Sequence, residues 1–222
     1  MQFPQRLIDG YSTFLSERLP REQSRFRELA ETGQHPEIMV IGCCDSRVSP
    51  EVIFDARPGE LFVVRNIANI VPPYQPDTNA HGVSAALEFG VLALQVKHIV
   101  VLGHARCGGV QAFAQNAEPL TPSDFIGNWM KLMQPAAEKT PRDDLSPADY
   151  LTRLELANIV NSLDNLKSFP RLAALIEQGQ IATHGAYFGV TTGALSVLDR
   201  ASGEFRRVAR EAHARAFAAP RF

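Results

Sequence analysis

The segment EIMVIGCCDSR, residues 37–47, changes abruptly from apolar to polar character. Its first half is a short run rich in apolar and β-branched residues that closes at Gly42, a pattern typical of a buried strand. Asp45, Ser46 and Arg47 follow almost directly. We therefore predict a buried strand that ends in a functional loop.

Two segments farther along the chain repeat this apolar pattern, at 59–65 and 97–103. Apolar residues between them recur at helical spacing, namely Val83, Leu87, Val91 and Leu94. Strands that alternate with helices favour a parallel sheet with helices on its faces. Further helices are predicted at 122–133, 146–166 and 170–178, and two strands at 185–190 and 194–198.

The N-terminal segment has a different pattern. From Gln5 to Glu31, apolar residues recur at three- and four-residue steps among charges, which predicts two amphipathic helices broken near Pro20. The expected fold is thus an α/β protein with a central, mostly parallel sheet flanked by helices. We expect one domain over 1–222, made of an N-terminal helical arm over 1–35 and an α/β body over 36–222.

Composition excludes several classes of function. The 222 residues are 45% hydrophobic and 21% charged, which is normal for a soluble globular protein. Twenty-two basic and 24 acidic side chains, without a basic block, disfavour nucleic-acid binding. The apolar runs are far shorter than the ~20 residues that span a bilayer. With no export signal at the start of the sequence, we expect a cytoplasmic protein without a membrane partner.

The cysteines point to a metal site. All three, Cys43, Cys44 and Cys107, follow predicted buried strands at the sheet edge where ligands bind in α/β proteins. An odd number with two adjacent makes a disulfide framework unlikely. With His104 three residues before Cys107, two thiolates and one imidazole would select zinc and leave one coordination position for chemistry. The alternative is that the cysteines are small buried apolar residues.

Two motifs, CCDSR at 43–47 and GHARCGG at 103–109, together resemble the paired signature of the β-class carbonic anhydrases. The segment FVVRNIANIVPP at 62–73 is similar to plant-type members of that family. The resemblance implies one zinc ion per subunit, held by Cys43, His104 and Cys107. Cys44 has no metal role in this scheme and is expected to be a small packed residue beside the site.

The same resemblance implies reversible hydration of carbon dioxide to bicarbonate and a proton by a hydroxide on zinc. Arg47 would hold Asp45 ionised, and Asp45 would accept the hydroxide proton. The expected substrate-binding residues are Gln34, Phe62, Phe89 and Gly108, with Phe89 at a position that is usually Tyr. In this family the site is shared across a subunit interface, so we expect a homodimer or larger homo-oligomer.

A regulatory expectation follows from substitutions within the resemblance. Some bacterial relatives hold a second bicarbonate with a Trp, an Arg and a Tyr; here Arg65 matches the Arg, but Val40 and Phe188 replace the other two. Neither apolar side chain can donate a hydrogen bond, so we expect no cooperative inhibition by bicarbonate. Arg65 is then expected to bind backbone carbonyls or a partner subunit.

Three other functions remain open from the sequence. One is hydrolysis of carbonyl sulfide or carbon disulfide at a similar zinc site. Another is a non-catalytic binding module stabilised by zinc, in which Asp45 and Arg47 would have no role. The third is thiol redox chemistry by Cys43 and Cys44, which adjacent cysteines disfavour because their disulfide is strained.

Overall fold

A six-stranded sheet forms the centre of the computed structural model, which describes residues 3–208. The strands are β1 Ile38–Cys43, β2 Leu61–Asn66, β3 His98–His104, β4 Ala182–Gly189, β5 Ala194–Leu198 and β6 Phe205–Arg207. Their spatial order is β2-β1-β3-β4-β5-β6. The first four strands in this order are parallel and the last two are antiparallel additions at one edge. The predicted, mostly parallel α/β sheet is confirmed.

Nine α-helices accompany the sheet within residues 3–208. They are α1 Gln5–Thr13, α2 Leu19–Thr32, α3 Pro50–Ile53, α4 Gly82–Glu88, α5 Gly108–Ala114, α6 Phe125–Met130, α7 Gln134–Glu138, α8 Pro147–Leu166 and α9 Pro170–Glu177. The helices predicted at 146–166 and 170–178 match α8 and α9. The prediction at 122–133 corresponds to α6 and the 3₁₀ turn that follows it, Lys131–Met133.

Strand β1 is buried on both faces, as its apolar sequence predicts. Met39 and Ile41 pack into a core that includes Ile159 of α8, whereas Val40 packs into a separate cluster with Phe54 after α3. This division follows from the two-residue period of a strand, which sends alternate side chains to opposite faces.

The strand order places a crevice at the end of β1. The chain leaves β1 for β2 on one side, and β3 then returns to the other side. Loops that leave neighbouring parallel strands in opposite directions separate there and open a crevice, where α/β proteins bind ligands. Gly42 lies opposite Leu102, so β1 and β3 end at nearly the same level.

The N-terminal arm differs from its prediction in detail. The two helices α1 and α2 are not broken at Pro20 but joined by a π-helical segment, Phe14–Arg18. The amide of Leu19 donates to the carbonyl of Phe14, five residues back. Proline lacks an amide hydrogen and its ring crowds the preceding turn, and a wider turn at this point lets the helix continue.

Across residues 3–208, no helix combines the length and the apolar character needed to cross a bilayer.

Close packing behind the end of β3 gives a stability prediction. A Cβ atom at Gly103 would lie 2.6 Å from Cδ1 of Ile159, a fully buried residue. We expect Gly103→Ala to lower the free energy of unfolding by about 1–3 kcal/mol, measured by urea denaturation. In an Ile159→Ala background the clash is absent, so the added cost of Gly103→Ala should be smaller. Equal costs in both backgrounds would contradict this packing.

Candidate metal centre

The three predicted zinc ligands meet at the β1–β3 crevice. Cys43 is the last residue of β1, His104 is the last residue of β3, and Cys107 directly precedes α5. Their ligand atoms all lie within 4.8 Å of one another, and each residue is at most 4% exposed. The register of two neighbouring strands and one short loop thus brings together residues that are 64 positions apart in the chain.

The donor geometry fits zinc. The sulfur atoms of Cys43 and Cys107 are 3.9 Å apart. Tetrahedral coordination with zinc–sulfur bonds of about 2.3 Å requires a separation of roughly 3.8 Å. The Nδ1 of His104 lies 3.0 Å from the carbonyl of Ala105, while its buried Nε2 has no hydrogen-bond partner among residues 3–208. A carbonyl on one ring nitrogen leaves the other free to bind a metal, an arrangement common among histidine ligands.

A hydrogen bond joins the thiols of Cys43 and Cys107 and shifts the pKa of each. The hydrogen bond with Cys107 lowers the pKa of the Cys43 thiol, with further contributions from His104 and from the backbone amides of Asp45 and Ala68. The same hydrogen bond between the two sulfurs, together with burial, raises the pKa of the Cys107 thiol. A metal ion that binds both sulfurs as thiolates displaces any proton that they share.

Backbone strain accompanies these sulfur contacts. Ala68, whose amide faces the Cys43 sulfur, has φ of 62°, in the left-handed region that a residue with a Cβ rarely adopts. Arg106, directly before Cys107, has φ of 57°. Strained backbone of this kind is concentrated at functional sites.

Asp45 and Arg47 form an ion pair at the rim of the centre. Arg47 Nε donates to Asp45 Oδ1 at 2.9 Å, and its Nη2 donates to Asp45 Oδ2 at 2.7 Å. The hydrogen bond from Arg47 holds the pKa of the Asp45 carboxyl well below its usual range. Asp45 Oδ2 lies 4.0 Å from His104 Nε2, so the ionised carboxylate borders the candidate ligands.

Arg65 holds the loop after β1 through hydrogen bonds to its backbone. Its Nε donates to the carbonyl of Cys43 at 2.8 Å and its Nη2 to the carbonyl of Asp45 at 2.7 Å. The structure thus places Arg65 on backbone carbonyls, one of its two predicted positions. Val40 and Phe188 lie in one apolar cluster.

The predicted substrate-binding residues divide into two groups. Gly108 is exposed beside Cys107, and a Cβ atom there would meet nothing within 4 Å.

The other three residues lie away from the candidate ligands. Phe62 lies opposite Met39, whereas Asn66 lies opposite Cys43. Measured along the strands, Phe62 is therefore about 13 Å from the level of Cys43. Phe89 packs against Phe62, with ring centroids 6.0 Å apart, and the exposed Gln34 precedes β1. None of these three borders the candidate ligands of its own chain.

Cys44 corrects one expectation. Its side chain was predicted to pack beside the site, but the residue is exposed. Cys43 is the last residue of β1 and is buried, and consecutive side chains at a strand end point to opposite sides, which accounts for the exposure of Cys44.

The sequence reasoning missed Glu155 and Tyr187. Glu155, on α8, is 3% exposed; its Oε1 accepts from the backbone amide of Cys107 at 2.9 Å, and its Oε2 accepts from the Tyr187 hydroxyl at 2.7 Å. Burial raises the pKa of Glu155, opposed by these two hydrogen bonds. A signal was present, because Glu155 stands four residues before Ile159 on the apolar face of the predicted helix.

Comparison with known proteins assigns the family. Residues 38–195 match the family model described as carbonic anhydrase. A carbonic anhydrase of Pseudomonas aeruginosa is 37% identical over 211 residues, which cover 95% of this chain and 94% of the relative. Beta carbonic anhydrase 3 of Arabidopsis thaliana is 37% identical over 194 residues, which cover 85% of this chain and 74% of that relative. The chain belongs to the β-class carbonic anhydrase family.

Solved β-carbonic anhydrases share the fold. The structure of the β-carbonic anhydrase CcaA aligns with a TM-score of 0.86 at 29% identity, covering 92% of this chain and 98% of that one. A tetrameric β-carbonic anhydrase from Sordaria macrospora aligns with a TM-score of 0.73 at 30% identity, covering 87% of this chain and 95% of that one. The likeness therefore includes the sheet and most of the surrounding helices.

The geometry predicts how the cysteines differ in metal binding. Cys107→Ser replaces a buried sulfur of the candidate donor set and should lose most of the bound zinc, measured by metal analysis of purified protein. Cys44→Ser is the matched control and should retain zinc at the wild-type level, because Cys44 is exposed and outside the donor set. Full zinc content in Cys107→Ser would show that the donor set is wrong.

Proposed function

We propose that this β-carbonic anhydrase catalyses the reversible hydration of carbon dioxide to bicarbonate and a proton, with one zinc ion per subunit. The observation that supports this most directly is the buried Cys43, His104 and Cys107 set with the ionised Asp45–Arg47 pair at its rim. These three residues would hold the ion. Bound zinc supplies a nucleophile at neutral pH because it lowers the pKa of water from 15.7 to about 7.

Asp45 would orient the reaction. Its Oδ1 already accepts from the Arg47 amide and Nε, while Oδ2 accepts only one hydrogen bond from Arg47 and faces the candidate ligands. A free lone pair on Oδ2 can accept the proton of the attacking water and aim an oxygen lone pair at the substrate carbon. Arg47 fixes this carboxylate and keeps it ionised, so that it acts as an acceptor.

The negative charges of the two thiolate ligands make the Asp45–Arg47 ion pair important for activating water. Two thiolates offset the double positive charge of a zinc ion, which weakens its power to acidify water. Nearby hydrogen-bond acceptors and positive charge must then supply part of the activation. The guanidinium of Arg47, which also donates to the carbonyl of Arg106 at 3.1 Å, contributes that charge.

We further propose that a second subunit completes the substrate pocket. Gln34, Phe62 and Phe89 lie away from the ligands of their own chain, and Phe89 is half exposed. A dimer that presents them to the neighbouring centre would give carbon dioxide an apolar wall and an amide donor. The N-terminal arm supports association because it exposes Phe3, Leu7, Tyr11 and Leu15. We propose a homodimer or a larger homo-oligomer on this basis.

The remaining proposals concern the whole chain. We propose a single catalytic domain over 1–222, with residues 1–35 as an arm that reaches toward the partner. A reducing compartment such as the cytoplasm would suit Cys43 and Cys107, which have to remain free thiols to bind metal. No contact within residues 3–208 favours the sulfur-analogue hydrolase, and the ion pair at the metal centre disfavours the non-catalytic module.

The role of Asp45 can be tested by one isosteric change. Asp45→Asn keeps the shape but weakens the acceptor, so carbon dioxide hydration should fall about 10-fold or more, equivalent to about 1.4 kcal/mol of barrier. Stopped-flow kinetics measure this at unchanged zinc content. Asp77→Asn, a carboxylate on a distant exposed loop, is the control and should keep wild-type rates. Wild-type kinetics of Asp45→Asn from pH 7 to 9 would reject the orienting role.

Bicarbonate should act only as product. Arg65 donates to the carbonyls of Cys43 and Asp45, and Val40 and Phe188 offer no donor, so a second anion would leave oxygens unpaired at about 1–3 kcal/mol each. We expect hyperbolic inhibition when initial rates are measured against bicarbonate at pH 7.5. A sigmoidal fall in rate would reveal an allosteric anion site.

Sharing of the pocket can be tested by mixing variants. Cys107→Ser lacks the metal, and Gln34→Ala lacks the amide that we place in the partner's pocket. A mixed dimer should contain one site with both defects and one intact site, so co-expression should restore hydration above the average of the separate variants. Activity equal to that average would place Gln34 outside a shared site.

A further inference from the structure

A buried carboxylate lies directly behind the candidate metal centre. Glu155 is 3% exposed, and no Lys or Arg within residues 3–208 forms an ion pair with it. A buried carboxylate without a cation is costly, because desolvation opposes its charge. An apolar residue would suit the neighbouring core of Leu154 and Ile159 better. Some contact of Glu155 must therefore offset this cost.

The contacts of Glu155 lead to a candidate zinc ligand. Oε1 accepts the backbone amide of Cys107 at 2.9 Å, and Oε2 accepts the hydroxyl of Tyr187 at 2.7 Å. Tyr187 lies on β4 opposite Gly103, one residue before His104 in β3. The carboxylate therefore connects α8 and β4 to the loop that carries Cys107.

Other hydrogen bonds hold this loop at the Ala105 amide and at the Arg106 carbonyl, whereas the Cys107 amide donates to Glu155. Cys107 follows Arg106, whose φ of 57° is strained for a residue with a side chain, and the amide of Cys107 is buried. The amides of Gly109 and Val110 point at the Cys107 sulfur. With its own amide held by Glu155 and its sulfur held from the other side, Cys107 has a fixed orientation toward Cys43.

We propose that Glu155, itself oriented by Tyr187, is a positioning residue that holds Cys107 in the geometry required for zinc. This inference rests on the proposed zinc site. Glu155 touches neither substrate nor the metal-facing atoms, and it acts through the backbone of Cys107. It sets how firmly the ion is retained and how the sulfur is placed around it.

The test compares variants that remove the acceptor with one that keeps it. Glu155→Met has a similar length but cannot accept the Cys107 amide; Glu155→Gln retains a carbonyl oxygen in that position. Zinc release to an excess of chelator is measured, together with the visible absorption of the cobalt-substituted protein, which reports thiolate coordination. We expect Glu155→Met to release zinc about 10–100-fold faster, with an altered cobalt spectrum. Glu155→Gln should stay close to wild type.

Two further variants separate positioning from general stability. Asn165→Ala removes a hydrogen bond from α8 to the carbonyl of Val71, away from the centre, and should lower the melting temperature without changing zinc release. Tyr187→Phe frees one oxygen of Glu155 and should speed zinc release by less than Glu155→Met does. If Glu155→Met does not fold, Tyr187→Phe decides the matter.

Wild-type zinc release and an unchanged cobalt spectrum in folded Glu155→Met, or in Tyr187→Phe when that is the deciding variant, would overturn the proposal. Failure of the proposed function is distinguishable from this outcome. If the proposed function is wrong, wild-type protein will bind zinc but will not hydrate carbon dioxide. The comparison of zinc release between variants does not depend on turnover, so it tests the role of Glu155 separately.

Discussion

The parallel pairing of β1 with β3 is the constraint on which the site depends. With Gly42 opposite Leu102, the two strands end at nearly the same level, and the reversal of strand order opens a crevice between their loops. Cys43 and His104 are the last residues of these strands, and a short strained loop adds Cys107. A one-residue slip of β1 would turn Cys43 to the other face of the sheet, so the packing that fixes the register also fixes the metal centre.

Charged groups surround this centre in an ordered way. Arg65 holds the carbonyls of the β1 loop, Arg47 holds Asp45 at the rim, and Glu155 holds the Cys107 amide from behind. Each group orients a neighbour through a hydrogen bond, so the ligands and the acceptor are already in place before a metal or substrate arrives. Such preorganisation reduces the rearrangement needed during reaction.

The sequence predicts β1 to β5 and the ligand cluster because their signals are local, namely short apolar runs with polar or cysteine residues close after them. It does not predict β6, a three-residue edge strand. It predicts the N-terminal arm less well, since a π-helical turn before Pro20 leaves the periodicity almost unchanged. Helix α5 is missed because it opens with Gly108 and Gly109, poor helix formers. Glu155 is missed because its contact with Cys107 spans 48 residues and depends on how α8 packs on the sheet.

The crevice at the ends of β1 and β3 is the proposed zinc centre for carbon dioxide hydration. The most direct measurement is stopped-flow hydration on protein of known metal content, before zinc removal, after removal by a chelator and after zinc is restored. We expect one zinc per chain, loss of hydration when the metal is removed and recovery of hydration when zinc is restored. Rapid hydration by metal-free protein, or none by the fully zinc-loaded protein, would contradict this proposal.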